Sequence, residues 1–448
     1  MTPLALDTLR DCMEGVVPAV LATCDETGVP NVSFISQVHY VDPERVALSY
    51  QFFNKTRANL LATRQASVQI FDPVALADYR LELDFEETRT EGPLFETMKA
   101  KLAGIASHSG MDGVFRLLGA DVFRVRSIET IFPPSTIPPP PSRNLLSAAR
   151  RTSQELAGSG SLGELFDRVL SCLRRHFGIE HAMVLMLDEN GRQLFTVASL
   201  GYPTAGIGSE VEVGHGVVGV AARERSPIRI CQMAFDYSYG RAIRDGARSV
   251  GVEWSGATEI PYPGLPAPES QIALPILSES GVIGVLFAES PEPMRFRYDD
   301  EDALMLVADR IASLIPLAKA SDDAPRATAP AAPCPDAPAG PLVVRHYGAD
   351  DSVFLNHDYL IKGVAGAIVW MLVGEFARTG RTEFTNRELR LDPRLRLPEF
   401  ADNLEARLLL LQRRLRERMC PVRIEKTGRG RFRLDVPCPL VLEEIERQ

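Results

Sequence analysis

Lys55, Thr56 and Arg57 form a polar cluster that directly follows a predicted strand and opens a short predicted helix. The first backbone amides of a helix have no partner within the helix, and adjacent cations add positive charge there. Such a helix start is a natural binding site for a phosphate group. The alternative is that these residues only cap the helix.

A second set of polar residues lies on a predicted strand earlier in the chain. Side chains two residues apart share one face of a strand, so this strand presents a polar face. That face either lines the edge of a flat ring system bound beside the helix start, or faces water. Its members are Asn31, Ser33, Gln37 and His39.

Cations are concentrated near the C-terminal end, although the chain has a formal net charge of −10. Residues 402–435 hold ten Lys and Arg against five Asp and Glu. This contrast indicates an anionic partner, and DNA is the obvious one. Arginine-rich faces are also often solvated, and the same kind of domain also docks proteins. The residues predicted to contact DNA are Arg407, Arg413, Arg414, Arg418, Lys426, Arg429 and Arg431.

The elements predicted around these cations are helices followed by a hairpin. Thr385 and Glu388 have the spacing of a capping box, which predicts a helix start. Leucines at positions 404, 408, 411 and 415 form one apolar stripe on the next helix. An earlier helix is predicted over 357–378, and a hairpin over 422–436. This order resembles the winged helix-turn-helix domains of bacterial response-type regulators, whose second helix of the motif enters the major groove.

Length and composition indicate the number of domains and the cellular compartment. The 448 residues are 45% apolar and 24% charged, which predicts about three globular domains. No apolar run is long enough to span a membrane, and the N-terminus lacks a signal-peptide core, so we expect a cytoplasmic protein. Seven dispersed cysteines without a CxxC pair argue against a disulfide framework and against a compact zinc site.

Two stretches of biased composition divide the chain. The first reads FPPSTIPPPPS and predicts a stiff extended spacer. The second reads DDAPRATAPAAPCPDAPAGP, an Ala/Pro tract that cannot form a core. The predicted parts are a first domain at 1–132, a spacer at 133–142, a second domain at 143–320, a linker at 321–341 and a third domain at 342–448.

The first domain reads as paired strands with one long helix, which predicts a small antiparallel barrel. The segments LATCDETGVPNVSFIS, ALSYQFFNKTRANLLATRQASVQIF and DVFRVRSIE resemble the split barrel of the pyridoxamine 5′-phosphate oxidase-like superfamily. The resemblance implies FMN at a dimer interface; F420 or haem is a less favoured ligand. The barrel then runs straight into the proline spacer, without the basic tail of the oxidases, so oxidase activity is not expected. The predicted cofactor-binding set is Ser33, Gln37, Lys55, Thr56, Arg57 and Asn59.

The second domain reads as helices flanking an antiparallel sheet, an α+β sandwich. The segments LMLDENGRQLFTVASLG, VEVGHGVVGVAARERSPIRI, QIALPILSESGVIGVLFAES and FRYDDEDALMLVADRIASLI resemble a GAF domain. Such domains bind small molecules between sheet and helices, or only dimerise. This chain adds a long insertion at 235–268, which is either a binding loop or an idle insertion. The ligand-binding residues predicted there are Tyr237, Tyr239, Arg241 and Trp254.

The predicted fold class is therefore an α+β multidomain chain with a split barrel, a GAF sandwich and a winged helix. The first functional interpretation is a homodimeric, ligand- or redox-sensing transcriptional regulator that responds to a small-molecule effector. The second is a flavin-dependent oxidoreductase with regulatory and docking domains, in which the flavin supplies the redox chemistry. No nucleophile, zinc or nucleotide-binding signature is present in the sequence, so no catalytic or metal-ligating residue is assigned.

Overall fold

The computed structural model describes residues 4–13, 19–35, 38–51, 54–72, 75–108, 116–134, 143–231, 260, 262–279, 281–322, 341–395, 397, 403–428 and 430–445. The elements of the first domain are a 3-10 helix (Leu6–Met13), strands β1 (Ala19–Cys24), β2 (Pro30–Ile35), β3 (Val38–Asp42), β4 (Arg45–Tyr50), β5 (Gln65–Asp72), β6 (Ala77–Arg89) and β7 (Gly119–Phe132), and helices α1 (Lys55–Thr63) and α2 (Pro93–His108).

The seven strands of the first domain form one antiparallel sheet in the order β2-β1-β5-β6-β7-β4-β3. Every second residue of β1 is buried, so one face of this strand packs on the core. β2 and β3 lie at opposite ends of the strand order, yet only two residues separate them in the chain. The sheet must therefore curl until these two edges approach, since the three Cα–Cα steps from Ile35 to Val38 span at most about 11 Å. The predicted single strand over 30–40 is for this reason two strands on opposite edges.

The second domain is a six-stranded antiparallel sheet in the order β10-β9-β8-β13-β12-β11. The elements of this domain are α3 (Leu145–Leu156), α4 (Leu162–Cys172), a π-helical turn (Leu173–Phe177), β8 (His181–Leu187), β9 (Gln193–Leu200), β10 (Glu210–Glu212), α5 (Gly216–Glu224), β11 (Ile228–Ile230), β12 (Ser270–Ser278), β13 (Gly281–Ser290) and α6 (Tyr298–Asp322). Helices α3, α4 and α6 cover one face of the sheet, and α5 packs on the other.

The first two domains share an interface. Helix α2 packs beside α5, and its Ala100 belongs to the same buried cluster as Met183 and Phe287 of the central sheet. Charged pairs extend the interface, including Arg297 with Asp11 at 3.2 Å. The first domain therefore covers part of the α5 side of the sandwich.

The third domain contains two small sheets and three α-helices among its described residues. The sheets have the strand orders β16-β15-β14-β20 and β17-β19-β18, and β14 and β20 run parallel. Its elements are β14 (Leu342–Tyr347), β15 (Ser352–Leu355), β16 (Asp358–Ile361), α7 (Gly363–Thr379), β17 (Glu383–Thr385), α8 (Asn386–Leu391), a 3-10 turn (Pro393–Leu395), α9 (Leu404–Glu417), β18 (Arg423–Gly428), β19 (Arg431–Asp435) and β20 (Leu440–Ile445).

Local signals in this domain are confirmed where they are strongest. Thr385 caps α8 through a complete capping box with Glu388, and Gly380 ends α7 in the left-handed conformation. The leucine stripe of α9 is buried. The helix predicted over 357–378 begins only at Gly363, because residues 358–361 pair with β15 as a strand.

The second and third domains share one continuous hydrophobic cluster. Leu165 of α4 and Leu404 and Leu411 of α9 are among its buried members. Lys362 at the start of α7 also pairs with Glu210 of β10 at 3.1 Å. Across the described residues, no helix is long and apolar enough to cross a membrane.

Candidate cofactor site and candidate nucleic-acid interface

A cavity of about 310 Å³ opens on the first domain where β2, β4 and α1 meet. Its size is at the lower end of the range of small-molecule sites. The wall combines apolar side chains with hydroxyls, two side-chain amides and one buried ion pair. The lining residues are Leu21, Ser33, Phe34, Ile35, Leu48, Ser49, Tyr50, Gln51, Asn54, Thr56, Arg57, Leu60 and Asp121.

The start of α1 lies at this cavity. Asn54 caps the helix by accepting a hydrogen bond from the Arg57 amide at 3.1 Å. The Thr56 hydroxyl accepts from the Asn31 side-chain amide at 2.9 Å and lies 3.3 Å from the Ser33 hydroxyl. Lys55 is exposed beside them. The structure therefore brings Ser33, Lys55 and Thr56 together at one helix N-terminus, an arrangement suited to a phosphate.

Two other residues of the predicted set have internal partners. The Arg57 guanidinium is buried, pairs with Asp121, and donates to the Thr88 hydroxyl at 2.8 Å. It also lies 4.2 Å from the centroid of the Tyr50 ring, which forms part of the cavity wall. Asn59 is buried and donates to the Thr23 hydroxyl at 3.2 Å, so its side chain faces the barrel interior instead of the cavity.

The polar strand face is divided between two environments. Asn31 and Ser33 face Thr56, and Ser33 also lines the cavity, whereas Gln37 lies outside the described residues. His39 is buried on β3 at the interface with the GAF-like domain, where its electrostatic neighbours include Lys101 and Glu301. Burial, reinforced by Lys101, lowers the pKa of His39 to about 3, so the ring is neutral. The prediction that His39 shares the ligand-facing surface is therefore wrong.

The residues predicted to bind a ligand in the second domain, Tyr237, Tyr239, Arg241 and Trp254, lie outside the described residues. Among the described residues of this domain, Glu289 is a buried acid. Glu289 accepts hydrogen bonds from the Leu265 amide at 2.7 Å and from Gln271 at 3.0 Å. Burial raises the pKa of its carboxyl group.

Arg407 of α9 forms a buried ion pair with the second domain. Its guanidinium lies 2.9 Å from Glu189, in the turn between β8 and β9, and 3.9 Å from the centroid of the Phe195 ring. The side chains of Arg407 and Glu189 are only 9% and 4% exposed. A neighbouring hydrogen bond from Asn403 to the Leu187 carbonyl, at 2.8 Å, extends the contact.

Arg413 contacts the second domain through three oxygen atoms. It donates to the Val197 carbonyl at 2.7 Å, the Gly163 carbonyl at 3.1 Å and the Asp167 carboxylate at 2.8 Å. Burial lowers the pKa of its guanidinium, against the opposing effect of Asp167. The contact therefore fixes α9 against both β9 and α4.

Arg414 is buried inside its own domain. It donates to the Leu360 carbonyl at 3.0 Å and to Glu417 at 2.7 Å. The expectation that Arg407, Arg413 and Arg414 point towards nucleic acid is thus corrected for this conformation. Each of the three guanidinium groups is occupied by protein oxygen atoms.

The remaining predicted cations are more accessible. Arg418, Lys426 and Arg431 are exposed, and Arg429 lies outside the described residues. Lys426 and Arg431 line a cleft of about 580 Å³ whose opposite wall is α4 with Glu164 and Asp167. The hairpin therefore faces the second domain across an open gap.

Comparison with known proteins identifies the first two domains. Residues 5–129 match the family model of pyridoxamine 5′-phosphate oxidase, and residues 161–315 match the model of the GAF domain. The comparison with curated proteins gives no match. The predicted order of a pyridoxamine 5′-phosphate oxidase-like domain followed by a GAF domain is therefore confirmed.

Solved structures resemble single domains of the chain. An FMN-binding protein from Syntrophomonas wolfei subsp. wolfei has 19% identity and a TM-score of 0.25, with 28% of this chain and 85% of that chain covered. HupZ from Group A Streptococcus has 22% identity and a TM-score of 0.24, with 30% and 99% covered. The GAF domain of an Acinetobacter phosphoenolpyruvate-protein phosphotransferase has 20% identity and a TM-score of 0.31, with 40% and 96% covered.

Proposed function

We propose that this chain is a ligand- or redox-responsive transcriptional regulator. In this proposal the barrel and the GAF domain bind an FMN-type cofactor or another small molecule, and the third domain acts as a winged helix that binds DNA. One observation carries the proposal: the GAF domain holds the arginine-bearing face of α9 through Arg407 and Arg413. A domain that senses a ligand thus contacts the helix that would enter the major groove.

The described conformation corresponds in this proposal to a form with little affinity for DNA. Arg407 and Arg413 become available only when α9 separates from β9 and α4. A ligand drives this separation only if it binds the two arrangements with different affinity. Arg414 has partners within its own domain, so we assign it to the stability of the fold and not to DNA contact.

The barrel cavity fits a phosphorylated aromatic ligand in its chemistry. Lys55, at the edge of the cavity, and the backbone amides of Lys55 and Thr56 that open α1 would hold the phosphate, with the hydroxyls of Ser33 and Thr56 beside it. Tyr50 and Phe34 supply apolar wall for a ring system. A bound flavin would supply the redox chemistry.

The cofactor proposal is tested by the absorbance spectrum of the purified protein before and after dithionite. We expect oxidised flavin bands that bleach on reduction, and we expect Lys55→Ala to lower the flavin content. Lys99→Ala is the control, since Lys99 is an exposed lysine of α2 that pairs with Glu96 and Glu224 and does not line the cavity. A spectrum without flavin bands, even after incubation with FMN, refutes the cofactor; equal loss in both variants refutes the assigned site.

The DNA proposal is tested with mixed-sequence duplex DNA over a range of salt concentrations. We expect weak retention of the wild type and stronger retention of Glu189→Gln, in which α9 is released. Adding Arg418→Ala and Arg431→Ala should reduce the salt slope by about 1.8, because each lost phosphate contact contributes about 0.9. Arg126→Ala, an exposed arginine on β7, is the control. Absence of salt-dependent retention in both wild type and Glu189→Gln refutes the regulator.

A homodimer is part of the proposal. Val32 and Phe34 of edge strand β2 are 62% and 77% exposed, and Phe34 also lines the cavity. Exposed apolar side chains on an edge strand favour a partner surface. Phe34→Glu should shift the molar mass measured by light scattering from dimer to monomer, whereas Leu146→Glu, at an exposed leucine of α3, should not. A wild-type monomer refutes this part.

The second candidate function is a flavin-dependent oxidoreductase whose third domain docks on the GAF domain. The observation that favours it is the same set of contacts, because Arg407 and Arg413 of α9 bond to groups of the GAF domain in the manner of a docking element. Flavin reduction by a nicotinamide donor with repeated turnover, together with no DNA retention, would favour this function over the regulator.

A further inference from the structure

Glu155, Cys172 and His176 bring three metal-ligating side chains together at the end of α4. The Glu155 carboxylate lies 2.7 Å from His176 Nε2 and 3.5 Å from Cys172 Sγ. One potential ligand atom from each residue lies within 4.8 Å of the other two. The cluster is remote from the barrel cavity and uses none of the residues assigned to cofactor or DNA.

We propose that these three side chains form a binding site for a divalent transition metal of the zinc class. A thiolate, an imidazole and a carboxylate are the three side-chain ligands that zinc uses in proteins. In a tetrahedral site, bonds of about 2.0 to 2.3 Å place such ligand atoms about 3.3 to 3.6 Å apart. Cys172 Sγ already lies at this distance, 3.5 Å, from one oxygen of the Glu155 carboxylate, Oε2. His176 Nε2 lies 2.7 Å from the other oxygen, Oε1, and must move away from it by about half an ångström or more.

The local fold explains why the three residues meet. Cys172 and His176 are four residues apart, so they share one face of the helical segment. The segment from Leu173 to Phe177 is a π-helical turn, a rare feature that is found frequently at functional sites. Glu155 arrives from the neighbouring helix α3.

The three candidate ligands differ in their exposure to solvent. Cys172 is buried and the His176 side chain is 10% exposed, whereas Glu155 is 38% exposed and gives access from solvent. Thr152, one turn before Glu155 on α3, is fully buried, and its side chain interacts with the Cys172 thiol. Three protein ligands with an open fourth position are typical of zinc sites that keep a water molecule.

One cation competes for the same carboxylate. Arg175 donates to Glu155 at 2.9 Å, but its side chain is 59% exposed and can turn to solvent. If the cluster is a metal site, removal of Arg175 should increase metal affinity. If the cluster is only an ion-pair network, removal of Arg175 should have no such effect.

The experiment uses the full chain, stripped with a chelator and titrated with Zn²⁺ against a chromophoric competitor. We expect one Zn²⁺ per chain, affinity at least about 100-fold lower in Cys172→Ser and His176→Ala, and higher affinity in Arg175→Ala; changes outside the ligand sphere alone cost about 10- to 100-fold. Cys24→Ser and His215→Ala, at a cysteine of β1 and an exposed histidine, are controls that should bind as the wild type does.

Cobalt substitution gives a readout that does not depend on affinity. Co²⁺ bound to the wild type and to Cys24→Ser should show a thiolate-to-metal charge-transfer band, and Co²⁺ added to Cys172→Ser should not. Circular dichroism establishes that each variant is folded, and His176→Gln replaces any variant that is not. The proposal is overturned if wild-type zinc binding equals that of folded Cys172→Ser or His176 variants.

Discussion

Replacing Glu189 by Gln tests whether the GAF domain holds α9 through the buried ion pair. Gln has nearly the same shape as Glu but carries no charge. Arg407 then remains charged, only 9% exposed and 3.9 Å from the Phe195 ring, without its counter-ion. The structure predicts that α9 separates from the GAF domain more readily in this variant.

The size of the effect follows from the burial of both partners. Breaking a buried ion pair by neutralising one partner costs about 3–5 kcal/mol, because the other charge stays buried without compensation. Some solvent reaches Arg407, so we expect a value near 3 kcal/mol. At about 1.4 kcal/mol per factor of ten, the opening equilibrium of α9 should increase by about two orders of magnitude.

Hydrogen–deuterium exchange measures this opening directly. Peptides that cover 404–417 should exchange about 100-fold faster in Glu189→Gln than in the wild type under conditions where exchange reports the opening equilibrium. Peptides from β6 and β7, in the first domain, should be unchanged. Arg418→Gln is the matched control, since Arg418 is exposed at the C-terminal end of the same helix and its replacement by Gln also removes a single charge.

A double variant separates loss of the charge pair from general damage. Replacing both Glu189 and Arg407 by Met removes both charges, and buried pairs exchanged for apolar side chains are often neutral or stabilising. Exchange in 404–417 should therefore return close to the wild-type rate. Unchanged exchange in Glu189→Gln, or an equal increase in Arg418→Gln, would refute the role of this pair.

Three further perturbations test the fold and its ionised groups by urea unfolding. Buried His39 has a pKa of about 3 instead of 6.5, so on acidification the unfolded chain takes up a proton at a higher pH than the folded chain. Between pH 7 and pH 5 the free energy of unfolding should therefore fall by about 2 kcal/mol more in the wild type than in His39→Gln, and equal decreases would contradict this. Burial raises the pKa of Glu289, so its stabilising contribution is present at low pH and is lost as the pH rises through the raised pKa. The free energy of unfolding of Glu289→Gln should therefore increase relative to that of the wild type between acidic and neutral pH. A difference between the two proteins that does not change with pH would contradict this. Gly366→Ala should destabilise the protein by about 1–3 kcal/mol, because the added Cβ would lie 1.8 Å from the Asp351 carbonyl oxygen. Gly374 lies in the same helix with open space around it, so Gly374→Ala should stabilise the protein by about 0.8–1.0 kcal/mol.

Local signals in the sequence predicted much of the architecture. The capping box at Thr385 depends on two residues three positions apart, and the structure contains it. The shared face of Asn31 and Ser33 on β2 and the helix start at Lys55 also follow from local patterns. Signals of this kind are complete within a few residues, so a sequence contains them in full.

Contacts between distant residues could not be predicted in the same way. Arg407 and Glu189 are 218 positions apart, and nothing in an arginine-rich helix distinguishes a face for DNA from a face for a neighbouring domain. The parallel pairing of β14 with β20 and the burial of His39 between two domains also depend on residues that are far apart in the chain. The four-residue spacing of Cys172 and His176 can be seen in the sequence. Glu155 comes from another helix, so only the fold brings the three side chains together.

Helix α4 connects the two inferences drawn from this structure. Its N-terminal part supplies Gly163 and Asp167 to Arg413, and its last residue, Cys172, belongs to the proposed metal site. A metal that ties α4 to α3 would fix the surface on which α9 rests, and the two hydrogen bonds from Arg413 to α4 would then depend on the metal. Zinc should therefore slow exchange in 404–417 of the wild type, and should leave it unchanged in Cys172→Ser. If zinc binds but exchange in α9 does not respond, the metal site is structural and separate from the docking of the third domain.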